Sequence, residues 1–421
     1  MSLHVSTELL TSAERVLAMM LAFTQPADAV LSGFFRNQRK LGQRERGFIA
    51  EAAYAVLRRK RSLERLCGDE VTPRRLLLAA LTRVQGWSQR QLTDALTQKD
   101  IQWLNELRSV NEDDADLASR VDLPDWLAER LQQTMGDTDL LALARALNQP
   151  APLDLRVNLF KADRDTVLAQ LRADGFEAEP CRYAPAGLRL KGKPALSRHP
   201  LFLSGAVEVQ DEGSQLLGYL LAPRRGEMVV DFCAGAGGKT LLLGALMKST
   251  GRLYAFDIAE KRLARLKPRL ARSGLSNVHP AVISGENDQR IRRLAGKIDR
   301  VLVDAPCSGL GTLRRNPDLK WRQSPQAVEE LTHKQAAILA AASGLLKVGG
   351  RLVYATCSLL AEENEAIVDG FLAAHAGFQR IPCGEILARQ GIALEMGEDF
   401  RLLPHSHGTD GFYAAVMERT A

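Results

Sequence analysis

The chain has 421 residues, enough for two or three domains that each bury a core of their own. Its hydrophobic share of 46% and charged share of 25% are ordinary for a folded protein and exclude wholesale disorder. The formal net charge of +6 is compatible with a nucleic-acid partner but is weak evidence for one. The six cysteines form no C-x-x-C pair, which argues against a zinc ribbon and against a secreted disulfide framework.

The N-terminal stretch MSLHVSTELLTSAERVLAMM carries Glu8 and Glu14 and has no uninterrupted apolar core. We therefore expect no signal peptide. No stretch of the sequence approaches the roughly eighteen apolar residues of a membrane span either. The sequence predicts a cytoplasmic protein without a membrane partner.

Residues 1–147 are predicted to be helical, because apolar positions recur every three or four residues. Within this region, residues 36–66 place many Arg and Lys side chains around an amphipathic pattern. This basic segment is either a solvated helix face or a surface that contacts RNA phosphates. The residues alone leave both interpretations open.

A proline-rich break at 149–152 marks a linker. Residues 148–210 then alternate strand, helix and strand, which predicts a small α+β module. From 211 to 421 the pattern becomes repeated strand then helix, the mark of a parallel sheet covered on both faces. We expect strands of this sheet at EMVVDFC, RLYAFD, DRVLVDA and GRLVYATCS.

The first of these strands runs into the turn CAGAGGKT, which ends in Gly-Lys-Thr like a P-loop. A P-loop needs glycine five positions before its Gly-Lys-Thr glycine, and this chain has Cys233 there. A dinucleotide fingerprint that starts at Gly235 also fails, because its last glycine position holds Thr240. Gly235 and Gly237 are instead expected to let the backbone approach another kind of ligand closely.

The next strand ends in Asp257. A carboxylate at this place accepts hydrogen bonds from ribose hydroxyls, which predicts a nucleoside cofactor. The residues do not separate NAD from S-adenosylmethionine, and Asp257 has a second possible role as a cap of the following helix.

Two further strands lead into cysteines: Cys307 follows Asp304 in DRVLVDAPCS, and Cys357 follows GRLVYAT. Ligands of open α/β sheets gather at the carboxyl ends of strands, so we expect both thiols near the reactive end of the cofactor. Thiol, carboxylate and nucleoside cofactor together suit methylation at C5 of a pyrimidine. In that reaction a thiolate adds to C6, an acid near N3 stabilises the developing charge, and C5 then takes the methyl group.

Four stretches resemble the motifs of the RNA 5-methylcytosine methyltransferases, in particular the bacterial Fmu/Sun type, the small-subunit ribosomal RNA methyltransferase B branch. They are DFCAGAGGKT, DAPCSGLGTLRRNPDLKW, ATCSLLAEENEAIV and HGTDGFYAAVMER. The resemblance covers roughly residues 150–421. It implies an α/β fold: a Rossmann-like methyltransferase sheet in 211–421, a small RRM-like module in 148–210, and an N-terminal helical domain in 1–147 that is similar to NusB-like RNA-binding domains.

The resemblance also implies S-adenosylmethionine as cofactor and a cytosine of small-subunit (16S) ribosomal RNA as target, with tRNA and 23S rRNA left open. It makes Cys357 the nucleophile, Cys307 the residue that assists product release, and Asp304 the partner of cytosine N3. A monomer is expected.

The cofactor contacts that the resemblance implies lie in the glycine turn and at three strand ends. They are Cys233, Ala234, Gly235, Ala236, Gly237, Gly238, Lys239, Asp257, Asp288 and Asp304. Glu286 is an alternative to Asp288 beside the adenine. Lys239 is expected near the cofactor or the target base.

Contacts to RNA are expected from the cations of TLRRNPDLKWR, namely Arg314, Arg315, Lys320 and Arg322. Trp321 in the same stretch either stacks on a base or anchors the core. His405 and His407 have no third ligand nearby, so no metal site is predicted.

Two other functions compete with the methyltransferase. One is an RNA-binding ribosome-assembly factor that keeps the cofactor fold without turnover, against which the intact Asp304, Cys307 and Cys357 argue. The other is an NAD oxidoreductase.

Overall fold

The computed structural model describes residues 4–110, 115–192 and 194–421. The chain folds as two compact units: residues 1–150 with 312–324, and residues 151–311 with 325–421.

The first unit is helical up to residue 150, as the apolar periodicity predicts. Its helices are α1 (Thr7–Leu21), α2 (Ala27–Asn37), α3 (Gln43–Arg58), α4 (Lys60–Cys67), α5 (Pro73–Ala79), α6 (Gln89–Leu92), α7 (Gln98–Leu107), α8 (Leu117–Val121) and α9 (Asp125–Leu147). Ser6 starts α1 by accepting a hydrogen bond from the Leu9 amide at 3.2 Å. Helices α1, α3 and α5 enclose the core, where small side chains such as Ala13 and Ala52 are fully buried and let the helices approach closely.

The second unit begins with a small module in the order strand, helix, two strands, helix, strand. Its elements are β1 (Leu153–Val157), α10 (Arg164–Ala173), β2 (Ala178–Pro180), β3 (Gly187–Leu190), α11 (Pro200–Leu203) and β4 (Val207–Val209). The sheet is antiparallel with strand order β2-β3-β1-β4, which is the ferredoxin-like arrangement. The predicted α+β module is therefore confirmed.

The remainder of the second unit alternates strands and helices. Before residue 312 it contains α12 (Glu212–Leu221), β5 (Met228–Asp231), α13 (Gly238–Leu246), β6 (Arg252–Asp257), α14 (Glu260–Leu263), α15 (Leu266–Ser273), β7 (Val278–Val282), α16 (Gln289–Arg293) and β8 (Ile298–Asp304). Residues 312–324 then contribute α17 (Leu319–Arg322) to the helical unit. The second unit resumes with α18 (Pro325–Ser343), β9 (Leu346–Thr356), α19 (Glu365–Ala374), β10 (Phe378–Ile381), α20 (Cys383–Arg389), β11 (Phe400–Leu402), α21 (Pro404–His407) and β12 (Phe412–Arg419).

These strands form an 8-stranded sheet in the order β10-β12-β9-β8-β5-β6-β7, with β11 paired to β12. Strands β7, β6, β5, β8 and β9 are parallel, and β12 is antiparallel to β9. The strand order reverses between β5 and β8, so the carboxyl ends of these strands border a switch point where ligands of open α/β sheets bind.

Both faces of the sheet are covered. On β5, Val229 belongs to one core cluster while its neighbour Val230 belongs to the other. On β8, Leu302 and Val303 divide in the same way. This alternation explains why the strands read as unbroken apolar runs. In the part of the chain that the structure describes, every helix is too short or too polar to cross a membrane.

Candidate active site

Four neighbouring strands end in polar residues at one edge of the large sheet: β5 at Asp231, β6 at Asp257, β8 at Asp304 and β9 at Thr356. A cavity of about 390 Å³ lies at this edge. Its wall is formed by Phe232, Cys233, Asp257, Ile258, Ala259, Arg262, Ile283, Gly285, Glu286, Asp304, Ala305, Pro306, Cys307, Lys334, Ile338 and Cys357. The cavity therefore brings together the two predicted thiols and two of the predicted carboxylates.

The two thiols touch. Cys307 Sγ lies 3.5 Å from Cys357 Sγ, and both residues are half-buried free cysteines. The contact follows from the register of β8 and β9, which pairs Asp304 with Ala355, because each strand runs only a few residues further to its cysteine. A hydrogen bond with Cys357 and then burial raise the pKa of Cys307 well above that of an ordinary thiol. Cys307 thus holds its proton beside the sulfur of Cys357.

A third cysteine, Cys233, also lies in the cavity wall. Burial, followed by the nearby carboxylates of Asp231 and Asp304, raises its pKa well above the ordinary value. Because the thiolate is the nucleophilic form, Cys233 is poorly suited to attack a substrate.

Lys239 stands in the first turn of α13 and its Nζ donates to Asp304 Oδ2 at 2.7 Å. Its ammonium also lies 5.8 Å from the centre of the Phe412 ring. Burial lowers the pKa of Lys239, but the surrounding groups, Asp304 foremost, together raise it by more, so the net shift is upward. The structure thus gives Lys239 the partner that sequence reasoning left open.

The glycine turn is shaped mainly by packing. Gly237 has φ +80°, and a Cβ there would lie 2.2 Å from Leu266 Cδ1 on α15. Gly235 has φ +55°, and a Cβ there would meet only the flexible Arg262 guanidinium, at 2.9 Å. Packing against Leu266 on α15 is thus by itself a reason for glycine at 237, and close approach of a ligand stays a prediction for both glycines.

Asp257 fixes the turn from β6. Its Oδ2 accepts a hydrogen bond from the Gly235 amide at 2.8 Å, and its Oδ1 accepts one from the Ala259 amide at 2.7 Å, just before α14. The alternative role as a cap is therefore present in the structure. Each oxygen retains a further acceptor position, so the same carboxylate in the cavity wall can still receive ribose hydroxyls.

Sequence reasoning missed two arginines that hold the turn, Arg156 on β1 of the ferredoxin-like module and Arg269 on α15. Arg156 on β1 is almost fully buried, and its Nη1 donates to the Gly238 carbonyl at 2.6 Å and to Gln210 Oε1. Arg269 Nη1 donates to the Ala236 carbonyl at 2.6 Å, while its Nη2 donates to Glu208 Oε2 at 2.9 Å. The sequence signal that could have revealed Arg156 is its charge within an otherwise apolar strand, because a buried charged residue nearly always has a partner.

The structure separates the two acidic candidates for the adenine contact. Glu286 lies in the cavity wall. Asp288 instead caps α16: its Oδ1 accepts from the Arg290 amide at 2.8 Å, and its Oδ2 accepts from the Ser284 amide at 2.9 Å. These backbone hydrogen bonds lower the pKa of Asp288. The geometry favours Glu286, the alternative, over Asp288.

The segment TLRRNPDLKWR packs within the helical unit. Lys320 is 2% exposed, and its Nζ donates to the Arg58 carbonyl at 2.8 Å and to Asn148 Oδ1 at 3.3 Å. Burial lowers its pKa to about 7. The predicted contact between Lys320 and RNA phosphate does not fit this placement, because the Lys320 ammonium donates its hydrogen bonds to acceptors inside the helical unit. Trp321 is an anchor, with Nε1 donating to the Leu57 carbonyl at 2.8 Å.

The other three predicted RNA contacts keep some exposure. Arg322 is exposed, whereas Arg314 and Arg315 are half-buried. In the basic segment 36–66, part of the charge is internally paired: Arg61 Nη1 lies 2.6 Å from Asp125 Oδ1. Exposed cations of that segment include Arg39 and Arg44. The segment is thus partly structural and partly a solvated face.

Among the described residues, one group has the spacing of metal ligands: Asp154, Cys181 and Glu212. Arg189 occupies it, with Nε donating to Asp154 Oδ1 at 2.7 Å and Nη2 lying 3.4 Å from Glu212 Oε2. His407, at the end of α21, lies outside this group, and its Nδ1 is 3.1 Å from the Leu403 amide nitrogen.

The cavity suits S-adenosylmethionine in its donor set. The Asp257 carboxylate would hold the ribose, and the apolar side chains of Ile258 and Ile283 offer walls for a flat purine. Cys307 and Cys357 belong to the same cavity, where a methyl donor would be needed.

Comparison with known proteins assigns the chain to a family. The model described as 16S rRNA methyltransferase RsmB/F matches residues 218–418, and an RsmF/B-like ferredoxin-like domain matches residues 123–197. A probable ribosomal RNA small subunit methyltransferase B from Synechocystis sp. is 33% identical over 410 residues, which is 89% of this chain and 91% of that protein. The corresponding methyltransferase B of Pectobacterium carotovorum is 37% identical over 296 residues, 70% of this chain and 66% of that protein.

Solved structures with a similar fold support the same assignment. The crystal structure of PH0851 matches with a TM-score of 0.81 and 26% identity, covering 100% of both chains. A methyltransferase homolog protein from Pyrococcus horikoshii matches with a TM-score of 0.62 and 29% identity, covering 74% of this chain and 100% of the other. With the fold, the motifs and a relative of nearly full length in agreement, the chain belongs to the 16S rRNA methyltransferase RsmB/F family of S-adenosylmethionine-dependent enzymes.

Proposed function

We propose that the protein methylates C5 of a cytosine in 16S ribosomal RNA, with Cys357 as the nucleophile that adds to C6. The observation that carries this proposal is the pair of free thiols 3.5 Å apart in the cofactor cavity, beside the carboxylate of Asp304. A methyltransferase that acts on a nitrogen or oxygen has no need of a covalent thiol, whereas C5 of cytosine is too weak a nucleophile without one.

Each residue then has one task. Cys357 Sγ forms a bond to C6, and the electrons of the C5–C6 double bond move into the ring toward N3. The S–H proton of Cys357 passes through Asp304 to N3, where it neutralises the developing negative charge, and N3 returns it to Asp304 on release. S-adenosylmethionine, when bound, supplies the methyl group that C5 takes up.

Release follows by elimination. A base removes the C5 proton, and the electron pair of the C5–H bond re-forms the double bond and expels Cys357 Sγ. Cys307 assists by giving its retained S–H proton to the departing sulfur, and the proton that the base took from C5 then returns to Cys307. The raised pKa of Cys307 fits this donor role, since Cys307 keeps its proton until the sulfur departs.

Lys239 supports Asp304 rather than the cofactor. Its ammonium, 2.7 Å from Asp304 Oδ2, fixes the carboxylate in one orientation. Asp257 and Glu286 are proposed to hold the ribose and the adenine respectively, from their places in the cavity wall.

The RNA target is inferred from the family and from the charge of the chain. The methyltransferase B relatives are named for small-subunit ribosomal RNA. Arg314, Arg315 and Arg322 are proposed to contact RNA phosphates, and the target cytosine has to leave its stack before C6 can meet a thiol. Action on tRNA or 23S rRNA is the alternative, and cytoplasmic location and a monomeric state stay predictions.

The covalent step is tested by two cysteine variants incubated with 16S rRNA and S-adenosylmethionine. Cys307→Ala should accumulate an RNA–protein adduct that survives denaturing electrophoresis, because release is slowed. Cys357→Ala should form none. An adduct in Cys357→Ala would contradict the assignment of the nucleophile, and the absence of any adduct and of any methylation by the wild type would favour a non-catalytic assembly factor.

A further inference from the structure

A buried carboxylate, Glu363, lies directly behind the two thiols. It is 0% exposed and precedes α19, on the segment that follows Cys357. Each cysteine is followed by a serine, and the hydroxyls of both Ser308 and Ser358 donate to Glu363 Oε2. The Ser308 amide donates to the other oxygen, Oε1, at 2.8 Å. One side chain therefore binds both strand exits that carry the thiols.

A fourth donor completes the arrangement. Gln335 on α18 is fully buried, and its Nε2 donates to Glu363 Oε1 at 3.0 Å and to the Pro306 carbonyl at 3.0 Å. Pro306 and Ser308 flank Cys307, so that cysteine is held from both sides. The two serine oxygens lie 3.2 Å apart, which ties the Cys307 and Cys357 segments to each other as well.

Burying a carboxylate costs on the order of several kcal/mol, which only full hydrogen bonding offsets. An apolar side chain would fill the same space without that cost, but it would hold neither serine. The carboxylate is thus poorly explained by stability and well explained by geometry: it accepts from two chain segments that are distant in sequence.

We propose that Glu363 is a positioning residue that keeps Cys307 and Cys357 in mutual contact at the mouth of the cofactor cavity. The inference deepens the proposed function and rests on it for the roles of the two thiols. Glu363 is not part of the cavity wall, so it acts through the cysteines rather than on the cofactor.

The consequence for catalysis is specific. A displacement of about 1 Å at a reacting group can lower a rate by roughly a hundredfold. Loss of Glu363 should therefore lower kcat and leave the affinity for S-adenosylmethionine unchanged. A residue with a merely structural role would lower stability without separating these two quantities.

The contact between the thiols can be measured without any RNA. Phenylarsine oxide captures two thiols that lie close together, forming two As–S bonds and releasing water, and binds a lone thiol weakly. We expect the full-length Glu363→Ala variant, and the double variant Ser308→Ala with Ser358→Ala, to be captured at least about tenfold more slowly than the wild type. The matched control is Glu212→Gln, which changes a carboxylate that is equally buried in the same unit but lies in the Asp154 and Arg189 cluster. It should be captured at the wild-type rate.

Several outcomes decide the inference. Wild-type capture by folded Glu363→Ala would overturn it, and so would equally slow capture by the Glu212→Gln control. If Glu363→Ala does not fold, the double serine variant decides, because it keeps the carboxylate and removes both hydroxyls that donate to it, together with the acceptor of the Leu360 amide. Glu363→Gln should recover part of the loss, since the amide retains one acceptor oxygen and the serine hydroxyls can rotate to accept from its nitrogen.

The inference and the proposed function fail in different ways. If Cys307→Ala forms no adduct and the wild type does not methylate RNA, while thiol capture still depends on Glu363, the cytosine chemistry is wrong and the positioning role stands. If the wild type methylates RNA through Cys357 while capture and kcat are indifferent to Glu363, the positioning role alone is wrong.

Discussion

Replacing Arg156 by methionine tests whether the ferredoxin-like module supports the cofactor turn. Arg156 lies on β1, outside every motif of the catalytic sheet, yet it donates to the carbonyl of Gly238 at 2.6 Å. The substitution keeps most of the side-chain length and removes the guanidinium. We expect weaker cofactor binding from a residue that does not line the cavity.

The magnitude follows from the contacts that are lost. Hydrogen bonds from a charged donor are worth roughly 1.5–3 kcal/mol each, and Arg156 makes one to Gly238 and one to Gln210. Part of this gain is offset by the cost of burying the charge, which also lowers the pKa of Arg156 to about 10. A net loss of about 2 kcal/mol in the free energy of unfolding is expected. If most of that loss falls on the turn, the affinity for S-adenosylmethionine drops about tenfold, which is 1.4 kcal/mol.

The assay is calorimetric titration of S-adenosylmethionine, with denaturant unfolding of the same preparations. Arg189→Met is the matched control, because Arg189 is a half-buried arginine of the neighbouring strand β3 whose carboxylate partner is Asp154 rather than the turn. Both variants should lose stability, and only Arg156→Met should lose affinity. Unchanged affinity in Arg156→Met, or an equal loss in both variants, would refute the reasoning.

Three further predictions follow from single contacts. Lys239→Met should lower the rate of methyl transfer by about a hundredfold, because the Asp304 carboxylate loses the ammonium that orients it; a wild-type rate would remove Lys239 from the mechanism. Gly237→Ala should destabilise the chain by at least about 2 kcal/mol in denaturant unfolding, through its positive φ and the collision with Leu266. Because Leu266 is itself buried, the collision is tested by a double-mutant cycle: the loss caused by Gly237→Ala should be smaller in a Leu266→Ala background, and an equal loss in both backgrounds would mean that packing is not the cause. Burial raises the pKa of Asp231 to about 7. Between about pH 4 and pH 7 the folded chain therefore keeps a proton that the unfolded chain has lost, and the folded state loses stability as pH rises through that window. Asp231→Asn should flatten this decline between about pH 4 and pH 7, and an unchanged slope would show that another group causes it.

The sequence predicts which residues meet at the candidate site because these residues lie where strands end. Asp257, Asp304, Cys307 and Cys357 each follow an apolar run, and parallel strands carry their carboxyl ends to one edge. To predict that these residues meet, one needs only the positions of the strands, and the alternation of apolar runs with helices in the sequence indicates them. The expected α/β fold, with its helical region and small α+β module, is confirmed for the same reason.

What sequence reasoning missed depends on partners far away along the chain. Lys320 reads as an exposed cation in a basic stretch, but its acceptor is the carbonyl of Arg58 in the helical unit. The sequence pattern suggests that Gly237 faces a ligand, but in the structure its lack of a Cβ makes room for the side chain of Leu266. In the sequence, Glu363 is one of several acidic residues before a helix. Only the fold shows that the hydroxyls of Ser308 and Ser358 both donate to it.

The central claim is tested most directly by bisulfite sequencing of ribosomal RNA from cells with and without the gene. The account predicts that one cytosine of 16S rRNA loses its protection from conversion when the gene is removed. It also predicts that the wild-type gene restores protection and that a Cys357→Ala gene does not. Unchanged protection at every 16S cytosine, or restoration by Cys357→Ala, would contradict it.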